Sequence, residues 1–584
     1  MKYCWEVTSK NQNESGISPC RVGVGHPPMN EKQQRHALGT ISVKETNMEN
    51  TARTVFGYHE ATKHHFHRYA RSLGFMDWGN QPDPFRNYVG AERFPLPLIR
   101  EDPAAGHISL YRRILPPAPS NASTLGAFLE LSMGLSAWKT TGGSRWSLRM
   151  NPSSGNLHPT EVHLVWSGTE DPAAGVYHYD PFNHMLEQRM ALADGLVQAI
   201  RDSFHPDAFL VGISSIFWRE SWKYGERAFR YCLLDAGHAL ATLSFSAGLL
   251  GWRVTALGGL SDSDIETILG FDRTVWPKSG KEHPELLCVV YPADVVVPLD
   301  LSPEVVAAFS EIPVVGSPNP LSGRSVNWEI IDAVAAAARK PKTTEATFRL
   351  PDRSFITAPP SAFSAAAVIR KRRSATAYDA GGEIDREVFL GILDKTLPRH
   401  AGAPFDLEAS APAVDLLLFV HGVRGLSPGL YCFIRTEDGL DGLRRAMRPG
   451  LRWSAVDNGF PLFLLRTGDY RDTARRVSCH QDIAGDGVCS LGMIAAFRST
   501  VLGAPYQYRR LFRESGMIGQ VLYLEAEAAG IRGTGIGCYF DDAVHELAGF
   551  SDDRYVSLYH FTMGAPVGDG RLESMPPYRH LSDV

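Results

Sequence analysis

The chain holds two copies of one pattern, and this limits its possible folds more than any other feature. Gly175-Val176-Tyr177-His178-Tyr179 recurs 254 positions later as Gly429-Leu430-Tyr431-Cys432-Phe433, each time after an apolar strand-like run. Arg230-Tyr231 through Ala236-Gly237 recurs as Arg509-Arg510 through Ser515-Gly516, and Leu269-Gly270-Phe271 as Ala548-Gly549-Phe550, both at an offset of 279. Similarity that recurs in the same order means one fold built twice. The offset grows by 25, so the second copy carries an insertion, expected between Leu465 and Leu502. The length of 584 residues is more than one core supports and agrees with two units.

Around the copies the text is less regular. Residues 1–50 are polar and aperiodic, which predicts a disordered arm; the two units are expected at 51–295 and 351–584, joined by a connector over 296–350. Helical spacing of Leu125, Phe128, Leu129, Leu131 and Leu135 predicts a core helix over 125–138, and Lys223 through Gly251 reads as one long helix. Gly175–Pro181 and Phe209–Ile213 read as strands, and Trp328–Arg339 in the connector as a helix. His59, His64, His65 and His67 crowd into nine residues, but no nearby cluster completes a recognisable ligand set, so no metal is expected. The eight cysteines are scattered without a C-x-x-C pair, as free thiols in a reducing compartment would be.

A formal net charge of -5 with 21% charged residues gives no electrostatic case for a nucleic-acid or membrane partner. No apolar run was found that approaches the ~18 residues of a spanning helix, and the start lacks a signal architecture, so a cytoplasmic protein is expected. P-loop and complete G-x-G-x-x-G motifs are absent. One stretch does offer chemistry. Arg149-Met150-Asn151-Pro152-Ser153-Ser154-Gly155-Asn156 sets hydroxyls, a glycine and an amide before an alternating strand. These groups suit the polar edge of a flat heteroaromatic ring, although they are also ordinary turn residues.

This stretch resembles the flavin-contacting loop of the nitroreductase fold, and Arg149 before it resembles the SagB-type, azoline dehydrogenase-like branch of that superfamily. The segment Lys223–Tyr231 is similar to that branch as well. In the second copy, Arg372-Arg373-Ser374-Ala375-Thr376 resembles the Arg-Arg-Ser-x-Arg signature that holds FMN, with Thr376 in place of the last arginine. Gly533–Gly537, including Gly535, Ile536 and Gly537, resembles the glycine-rich segment beside the isoalloxazine, and Gly564–Val567 with Arg571 the terminal strand and its phosphate-binding residue. Guanidinium forks suit a phosphate, and a cation near the ring favours its reduced, more negative form.

The resemblance implies an α+β protein of two fused nitroreductase-like domains, with antiparallel or mixed sheets flanked by helices, forming an intramolecular pseudo-dimer. Each copy keeps half of a site. The first has Ser153, Ser154 and Asn156, but its Arg112-Arg113 runs into Ile114-Leu115; the second has Arg372–Ser374, but Phe405–Pro412 stands where the loop belongs. One working FMN site per chain is therefore expected, with the other degenerate. The resemblance also implies that Lys223 and Tyr224 take a proton while FMN takes a hydride from an azoline or a related C–N or C–C bond. His480, in the small polar run Ser478–Gly487, is a further candidate, read as lining the substrate pocket from a segment specific to one copy. A small-molecule or peptide-derived substrate is expected, on a monomer or a higher homo-oligomer. Two rivals remain open: an NAD(P)H-dependent nitro, quinone or enone reductase, and a flavin-dead scaffold that docks partners.

Overall fold

The computed structural model describes residues 49–168, 171–344, 348–357, 359–408 and 410–582. The expected disordered arm therefore lies outside the described residues except for its last two, which open a helix running from 49 to 61.

Two seven-stranded sheets carry the two copies. The first runs, edge to edge, Arg93–Pro95, Met185–Ala191, Gly175–Asp180, Thr160–Trp166, Phe209–Ser215, His283–Pro292 and Trp252–Ala256. The second runs Ser454–Asp457, Phe460–Thr467, Gly429–Phe433, Val414–Val420, Cys489–Ala496, Tyr555–Gly564 and Arg532–Ile536. Every pairing inside both sheets is antiparallel, so the α+β expectation holds in its antiparallel form.

Strand register relocates the insertion. Gly175 pairs with Ala191 and Gly429 with Thr467, so the copies are already 276 positions apart at the strand following the first repeat. Thr160 pairs with Ser215 and Val414 with Ala495, which brings the offset to 280. Most of the insertion therefore precedes Phe460, in the helix Gly439–Ala446 and the edge strand Ser454–Asp457. The segment bearing His480 has a counterpart in the first copy and is not the insertion. In the first sheet the matching edge is filled from upstream, by Arg93–Pro95.

Between the sheets lie helices α1 (Ala228–Leu249) and α2 (Gln507–Ala528). All residues of α1 are buried, as befits a helix apolar on every side. The predicted single helix from Lys223 is two: Phe217–Tyr224 ends at Gly225, whose φ of 56° no other residue adopts cheaply. Among the described residues the span Phe217–Leu249 meets the length and apolarity of a membrane-crossing segment, contrary to the sequence expectation, and it is wholly buried in the core. The helix predicted over 125–138 stops at Ser132, and Leu135–Thr141 is a strand.

The repeated glycines Gly237 and Gly516 prove to be the crossing point of α1 and α2. A Cβ on Gly516 would stand 2.1 Å from the Leu234 carbonyl and 2.9 Å from the Gly237 Cα; one on Gly237 would stand 2.1 Å from the Arg513 carbonyl. Backbone meets backbone here, so the core of one copy continues into the other, from Ala52 to Met563. The copies also exchange ends. Glu573–Met575 pairs with Leu135–Thr141 of the first copy, and Tyr578 Oη accepts from the Leu135 N–H at 2.8 Å.

Candidate functional site

A closed circuit of contacts joins the two half-motifs. Arg372 ends the helix Ala365–Lys371 of the second copy and donates from Nε to the Met150 carbonyl at 3.2 Å and from Nη2 to the Arg149 carbonyl at 3.1 Å. Four residues beyond Met150, the Ser154 N–H and hydroxyl donate to Asp235 of α1 at 3.1 and 3.0 Å. One turn along α1, His238 Nε2 lies 3.3 Å from the Tyr559 hydroxyl, which sits where a Cβ on Gly535 would be. The Gly535 N–H donates to Tyr523 Oη of α2 at 2.8 Å, and Tyr523 Oη meets Ser374 Oγ at 2.9 Å, two residues from Arg372. Ser154, Arg372, Ser374 and Gly535 thus bracket one region, drawn from both copies.

Beneath the serine loop lie the expected Lys223 and Tyr224, together with Glu220 and Asp235, which sequence reasoning missed. A Cβ on Gly155 would stand 2.6 Å from Tyr224 Oη and 3.0 Å from Lys223 Nζ, so both side-chain ends rest against the loop, and its φ of 62° suits glycine. Glu220 shares their helix face one turn earlier and is fully buried; among the described residues neither carboxyl oxygen makes a well-formed hydrogen bond. Burial, then the nearby Asp235, holds the Glu220 carboxyl well above the usual carboxylate range. Burial likewise raises Asp235 to about 7 against the hydrogen bonds of Ser153 and Ser154. Lys223 moves the other way, its ammonium disfavoured by burial and partly restored by Glu220. Tyr224 is pushed well up by burial and then by Glu220, so it stays a phenol. Charged residues inside apolar helices were the signal available for Glu220 and Asp235.

The second-copy side of the circuit is strongly cationic. Burial, then Arg372 and Arg532, lowers Arg373 to about 10, with Glu527 opposing. Burial, then Arg373 and Arg532, also lowers Lys139. Cations that depress one another's protonation make a field that an anion relieves, and a phosphate monoester is such an anion. The donor set therefore fits FMN: cations at one end, loop and strand backbone at the other.

Not every expected residue joins the site. The Arg149 guanidinium points away, stacking on Phe85 and donating to the carbonyls of Thr160 and Pro84; only its own carbonyl faces Arg372. Arg373 donates to the carbonyls of Arg370, Arg372 and Ser136, which leaves it as charge rather than as a fork. Asn156 commits its amide inside the loop, to Ser147 and His158. The Ile536 side chain is buried in the core behind the strand, and Gly537 makes room for Tyr231, whose hydroxyl donates to its carbonyl at 3.0 Å. The Arg571 side chain is 84% exposed and paired with Asp569, ahead of the tail strand that pairs with the first copy, and it lies outside the circuit. His480 is exposed and lies against Phe66 and Phe540, outside the circuit.

The pseudo-symmetric position is plugged. Arg113 stands to Ser244 of α1 as Arg372 stands to Tyr523 of α2, and it donates to Ser244 Oγ at 2.8 Å and to Asp406 Oδ1 at 3.1 Å. Asp406 belongs to the segment that replaces the serine loop, and the neighbouring Leu407 carbonyl accepts from the Ala256 N–H, the counterpart of Gly535, at 2.8 Å. An internal carboxylate meets the arginine there. A separate cavity of about 620 Å³, lined by Phe217, Trp218, His283 and Trp328, opens on the opposite face of the Lys223 helix. In the histidine-rich stretch, Glu60, His65 and Asp542 cluster, with the Lys63 ammonium 2.7 Å from Glu60 and 2.9 Å from Asp542.

Parts of the chain are similar to known proteins. The profile of the Nitroreductase family matches residues 121–289, the heart of the first copy. A protein of Methanocaldococcus jannaschii described as a nitroreductase is 28% identical over 143 residues, 24% of this chain and 68% of that one. The microcin B17-processing protein McbC of Escherichia coli is 30% identical over 139 residues, 22% of this chain and 51% of McbC, so this chain spans about half of McbC's length. A solved nitroreductase-type structure from Anabaena variabilis superposes over 88% of this chain and 99% of its own, with a TM-score of 0.63 at 22% identity, a likeness of fold. Residues 121–289 thus match the Nitroreductase family, and the chain shares the nitroreductase fold over most of its length.

Proposed function

We propose that the chain is an FMN-dependent oxidoreductase of SagB type with one flavin per chain, dehydrogenating an azoline-like heterocycle or a related C–N or C–C bond in a small or peptide-derived substrate. The observation that carries this reading is the circuit itself, which sets Arg372 and Ser374 against Ser154 and Gly535 with Lys223 and Tyr224 behind the loop. FMN would supply the hydride acceptor. The chain's own residues would do the rest. Arg372 and the surrounding cations hold the phosphate and fix the two copies in register. Lys223, with its ammonium disfavoured, takes the substrate proton at Nζ; Glu220 and Asp235, with raised pKa values, accept or return it below the loop. Tyr224 stays protonated and donates a hydrogen bond that orients the reacting group. Similarity to McbC, by name a microcin B17-processing protein, supports a peptide-derived substrate.

The nitroreductase family profile favours a second reading, reduction of nitro, quinone or enone compounds by NAD(P)H. A flavin spectrum with stoichiometry is the first test. One flavin per chain is expected; a ratio near two overturns the asymmetry, and none in folded protein overturns the flavoenzyme. Rapid bleaching by NAD(P)H would favour the reductase, whereas resistance to it with oxygen uptake on adding an azoline favours the dehydrogenase.

A further inference from the structure

Cys479 and Cys538 are free thiols 59 positions apart whose sulfurs stand 2.7 Å from each other. Unbonded sulfurs normally keep further apart, and a covalent S–S bond is about 2.05 Å. The surroundings hold the pair in register. Gln481 Nε2 donates to the Cys538 carbonyl at 3.0 Å and to the Ser478 carbonyl at 2.8 Å, clamping both backbones. Cys479 and His480 are successive non-glycine residues in the left-handed region, with φ of 54° and 57°, an arrangement that costs energy and turns the Cys479 side chain onto the strand end. The two cysteines differ in access: Cys479 is buried and Cys538 partly exposed. The Arg227 guanidinium donates to the Gly537 carbonyl at 3.2 Å, one residue from Cys538, which supplies positive charge. In keeping with this, the hydrogen bond from Cys479 and then the Arg227 charge lower the Cys538 thiol against burial, whereas burial and then Cys538 raise Cys479.

We propose that Cys479 and Cys538 form a redox-active dithiol that exchanges with small-molecule disulfides and closes reversibly to an intramolecular disulfide. Cys538, as thiolate, attacks one sulfur of the incoming disulfide; that S–S bond breaks, one thiol leaves, and a mixed disulfide remains on Cys538. Cys479 then loses its proton and its sulfur attacks Cys538 Sγ, expelling the second thiol. The protein loses two electrons and two protons, and the reagent gains them as two thiols. The bridge pins the residue next to Gly537, whose carbonyl receives Tyr231, so the dithiol adjoins the wall of the proposed flavin site yet does not depend on a flavin.

The test treats the full-length chain with oxidised glutathione, blocks remaining thiols, and maps tryptic peptides without reduction. The expected product joins peptide 477–498 to peptide 533–554, with fragmentation placing the bridge on Cys479 and reduction removing it. Since 477–498 also contains Cys489, a bridge through Cys489 overturns the proposal, as does recovery of both peptides unlinked. In Cys479→Ser, glutathione should remain trapped on Cys538; an adduct elsewhere with Cys538 free overturns the assignment of the attacking thiol.

Discussion

Gly516→Ala tests the central claim that the two copies meet backbone to backbone. Two effects oppose each other. Alanine in place of glycine inside a helix is worth about 1 kcal/mol in favour of folding. The new Cβ would stand 2.1 Å from the Leu234 carbonyl and 2.9 Å from the Gly237 Cα, over 1 Å inside ordinary contact for the carbonyl. The obstacle is helix backbone, which cannot rotate aside as a side chain could, so α1 and α2 must part along their length. Overpacking of this kind costs about 1–3 kcal/mol, and loss of close packing along the pair adds to it. We expect a net destabilisation of about 1–2 kcal/mol and weaker flavin binding, because the circuit leaves α1 at His238 and reaches α2 at Tyr523 through Tyr559 and Gly535. The control is Gly503→Ala, at a helical glycine with nothing within 4 Å of its would-be Cβ. Thermal unfolding and flavin titration of both variants provide the measurements. A Gly516→Ala protein as stable as Gly503→Ala, binding flavin as tightly as the parent, would refute the reasoning.

Other outcomes can be stated more briefly. Arg372→Ala should abolish flavin binding, whereas Arg113→Ala should leave the flavin ratio unchanged and cost about 1–3 kcal/mol of stability by leaving Asp406 with only Arg253, at 3.7 Å; equal effects on flavin would contradict the asymmetry. Lys223→Met should lower turnover by roughly 10²–10⁴ with the flavin spectrum intact, and Glu220→Gln should shift the pH profile of turnover; unchanged rates in both would remove the proton path. Burial opposes protonation of His178, but its hydrogen bonds to Glu161 and Glu187 outweigh this and raise it to about 9. That stabilisation, on the order of 3 kcal/mol, is complete below about pH 6.5 and is lost as pH rises through 9; chemical denaturation across that range should show it fall, and His178→Phe should flatten the trend.

The repeat was legible in the sequence because it records contacts: Gly237 and Gly516 recur since each must admit the other helix. Loop and basic motif were legible too, as compact runs of unusual composition. What escaped was set by distant partners. Asp235 lies in a segment whose period announces only a buried helix, and its importance comes from the serine loop some 80 positions away. Arg149 and Arg571 carry the right charge near the right motifs, yet the first is turned away by Pro84 and Phe85 and the second lies exposed, paired with Asp569. The insertion was misplaced because repeat offsets bracket a change of register without locating it; strand pairing locates it.

Asp406, set against Arg113, has a further consequence. In a pair of identical chains any substitution is made twice, so neither site can be altered alone. Joining the copies in one polypeptide lifts that restriction. Here the change is more than a loss of binding groups, because an acidic side chain of the protein now meets the arginine in one place while its counterpart keeps its positive field for something from outside. On the proposed one-flavin reading, one half of the molecule is released from ligand binding to serve as a fixed scaffold, and the other can be shaped toward a single substrate without preserving twofold symmetry.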